Sequence, residues 1–277
     1  MRKSRRTDSL IEKNMDGMAR FSASKRLSLS AKLKPVAGVS HTLHFSLLIL
    51  LPIAVFILVR LGDTFVRLAY AIILLSKWRM FAVRPRFWPA IIRANAVDII
   101  VGLSTVLFMD HASSQWLQVL WAVLYAVWLL YVKPATTMRM TAIQAGIGQL
   151  FGLMAVYVVW AGEPLAVLVL ATGAVCTLSA RHFFDTFDEP YAKHLSYLWG
   201  YIGAALAWLL GHWLLFYGFL AQPTLILSIL GYGLAGLYYF DHKGKLNNSI
   251  KREFVFFMVA IMLIVLTFSD WGGKVVG

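Results

Sequence analysis

A chain of 277 residues that is 60% hydrophobic and only 14% charged is too apolar for a soluble domain of its length. Its formal charge of +13 calls for anionic partners. The basic residues flank apolar runs, which excludes specific nucleic acid and points to the bilayer's anionic lipid headgroups. A lone cysteine, Cys176, excludes an intramolecular disulfide and any multi-cysteine metal site.

Residues 1–40 read as a basic cytoplasmic tail. Ser9 and Glu12 have capping-box spacing, and Leu10, Ile11, Met15, Met18 and Phe21 recur at helical intervals. That pattern fits a short amphipathic helix lying on headgroups; a disordered tail that merely holds the N-terminus inside fits equally well. No cleavable signal peptide is expected, because the first apolar run follows the tail and reads as a retained anchor.

Residues 41–277 read as one hydrophobic domain. A spanning helix needs roughly 20 apolar residues. Nine segments answer to that length, at 43–60, 62–76, 90–109, 116–132, 141–160, 164–180, 195–219, 223–240 and 254–271. The predicted fold is an all-α polytopic integral membrane protein, a bundle of about nine transmembrane helices. The second segment is short and holds Arg67, so its crossing rests on charge. With nine crossings, Arg60, Arg67 and Lys274 are the only outer members of the 26 Lys and Arg. All others fall in the tail or in alternate loops, the distribution of a prokaryotic inner-membrane protein with its N-terminus cytoplasmic and C-terminus outside. If 62–76 did not cross, Lys77 to Arg93 would lie outside and every later loop would invert. Trp116, Trp160 and Trp271 fall near outer boundaries, and Trp78, Trp88 and Trp199 near inner ones.

Helix contacts in lipid favour small residues. Such seams run along 90–109 (Asn95, Asp98, Gly102, Thr105), 141–160 (Thr141, Ala145, Gly148, Gly152), 195–219 (Ser196, Gly200, Gly203, Ala207, Gly211) and 223–240 (Thr224, Ser228, Gly231, Ala235). These four segments are placed at the centre. The last, nearly devoid of small residues, is placed toward lipid. Pro52 predicts a kink in the first segment.

Asp98 is the one acid placed clearly within a span. A carboxylate there costs at least about 2.5 kcal/mol unless partnered or hydrated, so it reads as a proton or cation site sharing a face with Asn95 and Thr105. The alternative is a structural carboxyl, either protonated or paired with Arg93, Arg84 or Arg86. Gln144, Gln149 and His212 read first as interhelical hydrogen-bond glue. His212 near the outer end, and His41 and His44 near the inner end, offer no pair at one depth for bis-histidine haem.

The inner loop 181–194 gathers His182, Asp185, Asp188, Glu189 and His194. A helical continuation would bring His182, Asp185 and Asp188 together. Under an enzyme reading the acids would hold Mg²⁺ against a diphosphate on a lipid-linked substrate. The plainer expectation is an interfacial elbow in which Phe183, Phe184, Phe187 and Tyr191 dip into lipid. No Walker A, His-Glu-x-x-His or Gly-x-Ser-x-Gly motif occurs. The predicted topology is similar to that of the intramembrane aromatic prenyltransferases. Their Asn-Asp-x-x-Asp cluster after the second helix is missing here, where the loop is basic and aromatic.

Three functions remain open. One is a small-solute or ion carrier with a polar interior around Asp98. Another is a non-catalytic scaffold or assembly subunit whose protein partner docks on the basic cytoplasmic face. The last is a membrane-embedded enzyme acting on a lipid-linked substrate at that face.

Overall fold

The computed structural model describes residues 39–77, 84–212, 216–217 and 220–269. The basic tail with Ser9 and Glu12, together with Trp78, Trp271 and Lys274, lies outside the described residues. Packing is described within Leu48–Gly277.

The described chain is helical apart from one minimal hairpin. The helices are α1 (Val39–Arg60), α2 (Asp63–Leu75), α3 (Trp88–Ala94), α4 (Ala96–Asp110), α5 (Gln115–Val127), α6 (Met138–Val159), α7 (Leu165–Asp185), α8 (Ala192–Gly211), α9 (Gln222–His242) and α10 (Asn248–Phe268). A 3₁₀ turn, Pro85–Phe87, precedes α3, and a π turn, Trp128–Val132, extends α5. Among the described residues four helices are long and apolar enough to cross a membrane: α5 with its π turn, α6, α7 and α9. A fifth is added if Pro85–Ala94 and Ala96–Asp110, bent by 67° at Asn95, count as one broken span. The last helix, α10, matches these in length but opens on Lys251, Arg252 and Glu253.

Local sequence explains most boundaries. Ser114, Thr137 and Asn247 each accept a hydrogen bond from a first-turn N–H, capping α5, α6 and α10. Pro223 occupies the first turn of α9, where its missing N–H costs nothing. Pro52 lies inside α1 without ending it. The expected segment 195–219 is shorter than composition implies. Its helix stops at Gly211, and Phe216 and Tyr217 pair antiparallel with Ala221 and Leu220, feeding directly into α9.

Two of three apolar clusters make up most of the interior. One joins α1, α2, α4 and α5 through Val55, Ala69, Ile73, Val101, Met109 and Tyr125. The other joins α6, α7 and α9 through Leu153, Tyr157, Leu168, Cys176 and Leu227, with Trp199 of α8 packed against it. The α7–α8 pair is the most extensive contact. It exists because α8 presents Ser196, Gly200, Gly203, Ala207 and Gly211 along one buried stripe. A Cβ on Gly203 would stand 2.7 Å from Cys176 Sγ, and one on Gly200 would overlap Thr177 Oγ1. By contrast, α10 buries only Val265 within its length, and Phe256, Leu263 and Phe268 are exposed, as expected of a helix facing lipid.

Candidate functional site

The break at Asn95 sets up the site. Asn95 closes α3, its side-chain amide donating 2.9 Å to the Ile91 carbonyl, and the chain turns by 67° into α4. Asp98 lies in the first turn of α4, with only 7% of its surface exposed. One turn on, Gly102 leaves room for α2 and α5 to close in. A Cβ there would lie 2.8 Å from Ile73 Cγ2 and 3.1 Å from the Tyr125 hydroxyl.

Three donors converge on this carboxylate from outside its own helix. Lys77, just beyond α2, is 8% exposed and donates to Oδ2. Lys133 Nζ, just beyond the π turn, reaches the same oxygen at 2.7 Å. Trp128 Nε1 donates to Oδ1 at 3.0 Å. The π turn makes the last two compatible. Residues five apart on an α-helix face roughly 140° away from each other. Here the Lys133 N–H bonds back to the Trp128 carbonyl at 2.8 Å, an i→i+5 turn that brings both side chains to one face. The cluster holds two ammoniums against one carboxylate. Burial pulls the Lys77 ammonium down to about 8 from its ordinary 10.5, against the opposing pull of Asp98.

The arginine partners expected from sequence are therefore corrected. Arg93, Arg84 and Arg86 are closest along the chain, but Asp98 is paired by two lysines. Asn95 and Thr105 do not extend its polar face either. Asn95 serves the end of α3, and the Thr105 hydroxyl donates 2.7 Å to the Val101 carbonyl of its own helix. Next to Gly102 the Tyr125 hydroxyl, 1% exposed, has no hydrogen-bond partner among the described residues.

A second network continues from the same turn. Gln144 of α6 donates to the carbonyls of Val132 and Ala135 at 2.6 and 2.9 Å, supplying partners for the end of the π turn. Its amide oxygen lies 3.0 Å from His182 Nε2, so that nitrogen carries the proton. The loop end after α2, the turn after α5, the start of α6 and the end of α7 thus meet at one end of the bundle. Gln149 is glue of the kind expected from sequence: it donates to the Leu227 carbonyl at 2.9 Å and accepts from Trp199 Nε1 at 2.8 Å. His212 bonds the Trp208 carbonyl of its own helix at 2.7 Å.

The 181–194 acids do not assemble as the helical spacing implied. The helix ends at Asp185, and Asp188 adopts φ 51°, which turns the chain away. Asp185 pairs with Arg181 on its own helix at 2.9 Å, while Glu189 accepts from the Tyr238 hydroxyl of α9. His194 is exposed beside the Tyr191 ring. Among the described residues no three His, Cys, Asp or Glu side chains are placed to hold a metal ion, so a Mg²⁺ site here has no geometric support. Nor do the phenylalanines dip into lipid. Phe183 and Phe187 are each 5% exposed and pack with Phe184 against Tyr238 of α9, and Phe187 also meets Tyr239 and His242. The expected elbow is an interhelical aromatic cluster, and only Tyr191 stays out.

No known protein family, curated protein or solved structure matches the chain. Its chemistry must be read from its own residues.

Proposed function

We propose that the chain is a nine-crossing membrane protein with a cytoplasmic N-terminus that carries a small solute or ion. In this reading Lys77, Asp98 and Lys133 are its inner gate. The observation that supports it most is a carboxylate held by lysines from two separate loops, one turn past a broken helix. Broken membrane helices form the binding sites of many carriers, because free backbone at that depth is tolerated where it lines a cavity. Buried ion pairs contribute little net stability over apolar replacements, so their retention fits a switch better than a brace.

The sign of the cluster narrows the solute. With one carboxylate against two ammoniums, the resting gate carries an excess positive charge, which favours an anion. Lys133, its side chain 34% exposed against 8% for Lys77, is the arm that an arriving anion meets first. An anion that takes over Lys133 weakens the hold on Asp98 and lets the ends of α4 and α5 part. The Tyr125 hydroxyl, without a hydrogen-bond partner among the described residues, lies beside Gly102 farther along the same face, where it can donate to a solute that passes the gate.

The lone native cysteine makes a clean test possible. In a Cys176→Ala background, Val101→Cys places a thiol at a position 1% exposed, one turn beyond Asp98. A carrier predicts alkylation by a membrane-impermeant reagent, altered by small anions and enhanced by Asp98→Asn. Protection from both sides under every condition would sink the gate and favour the scaffold. Topology is checked separately with reporters active only outside the membrane, which should work at Ser113 and Gly162 and fail at Lys133, Thr186 and Lys245. Exposure of Arg84 to the outside would break the nine-crossing reading.

A further inference from the structure

A groove of about 250 Å³ runs between α3, the start of α4, the end of α7 and the start of α8, separate from the Asp98 gate. It is lined by the apolar surface of Ile92, Leu178 and Tyr197 together with Arg93, Arg181 and Lys193. Three cations line it and no carboxylate does. Asp185 pairs with Arg181 from the same helix, with Arg181 Nε at 2.9 Å. Arg181 Nη1 is enclosed and has no hydrogen-bond partner among the described residues. The groove's hydroxyls do not compete for a ligand. Thr177 donates to the Gly173 carbonyl at 2.7 Å, and Ser196 donates to the Ala192 carbonyl of its own helix. The Lys193 ammonium lies over the Tyr197 ring, with Nζ 5.9 Å from its centroid.

We infer that this groove is a binding site for an anionic phospholipid, with its phosphate held by Arg93, Arg181 and Lys193 and its acyl chain laid against Ile92, Leu178 and Tyr197. Charge complementarity decides the head: arginine N–H groups suit phosphate oxygens in paired geometry, and an enclosed guanidinium nitrogen without a partner gains most from such an acceptor. The amphiphile is favoured by the apolar surface of Ile92, Leu178 and Tyr197, which a free phosphate would leave uncovered. A basic pocket between membrane helices on the side of the basic loops is also where anionic headgroups concentrate. The site stands independently of the transport reading.

The test is native mass spectrometry of the full-length protein released from detergent with phosphatidylglycerol, phosphatidylcholine or inorganic phosphate. The wild type should retain phosphatidylglycerol in preference to phosphatidylcholine. Arg93→Gln, Arg181→Gln and Lys193→Gln combined should reduce that retention roughly tenfold or more. Removing two cations elsewhere, by Lys251→Gln and Arg252→Gln, should change it less than about twofold. Leu178→Trp fills the groove without altering charge and should also reduce retention, which keeps the proposal testable if the triple variant fails to fold. Equal losses in the groove and control variants, or full retention by Leu178→Trp, would overturn the site. Retention of inorganic phosphate with equal dependence on the three cations would overturn the lipid as its occupant.

Discussion

Around Asp98, a charged group draws two ammoniums and an indole N–H from α2 and the end of α5. Around Gln149, a neutral amide joins α6, α8 and α9 with one donated and one accepted bond. Both centres are buried and both hold helices together, yet they respond differently to loss of a member. The amide's partners return to being weakly unsatisfied dipoles. The carboxylate's partners become unneutralised charges in a low-dielectric interior. One region can therefore be switched by adding or removing charge, whereas the other can only be loosened.

The sharpest way to break this comparison is to remove Asp98. Asp98→Leu leaves Lys77 and Lys133 without their counter-charge and should cost about 3–5 kcal/mol in reversible unfolding in mixed micelles. Adding Lys77→Leu and Lys133→Leu should restore most of that, because apolar side chains of similar volume replace a buried ion cluster at little cost. If Asp98→Leu alone is neutral, the cluster is not the buried charge centre argued for here.

Packing comes next. Gly203→Val drives a branched side chain into Cys176 and should destabilise by about 1–3 kcal/mol, whereas the same change at Gly162, with nothing near its Cβ position, should not. Thermal unfolding of the two variants side by side checks this. Smaller still, Gln149→Leu should cost about 1 kcal/mol, the scale of a single polar contact between membrane helices. A loss as large as that of Asp98→Leu would erase the distinction between the two regions.

A pH dependence tests the same cluster from the side of its cations. In the folded protein Lys77 stands at about 8, below its unfolded value near 10.5. Between those two values the unfolded chain binds more protons, so stability should rise with pH across that window and stay flat below it with respect to this group. Lys77→Met should remove the rise. A stability that falls through the same window in the wild type but not in the variant would reverse the assignment and show that the ion pair outweighs burial.

Much of the packing was legible because it rests on local spacing. The α8 stripe of Ser196, Gly200, Gly203, Ala207 and Gly211 is buried as its three- and four-residue intervals imply, and α10 is exposed as its lack of small residues implies. The importance of Asp98 was legible from its cost in a span. Its partners were not, because proximity in sequence favoured Arg93, Arg84 and Arg86, while Lys77 and Lys133 read only as loop cations. A usable signal was present: both lysines immediately follow the end of an apolar segment, and Asp98 lies in the first turn of another. The 181–194 stretch misled for a related reason. Helical spacing was extended through Asp188, where the backbone turns left-handed, and the phenylalanines met an aromatic wall from Tyr238 and Tyr239 that no local pattern announces.

The wide turn at Trp128–Val132 ties the Asp98 cluster to chain length as much as to chemistry. A π turn holds one residue more than the α-helix it interrupts. Deleting Leu130 would close it to an α-helical turn, in which residues four apart share a face, so Trp128 and Lys133 could still serve the same carboxylate. An added residue in the same turn would instead rotate the stretch beyond by about 100° relative to Trp128 and part the two donors. In this molecule that turn tolerates shortening by one residue and not lengthening, although neither change alters a side chain of the cluster.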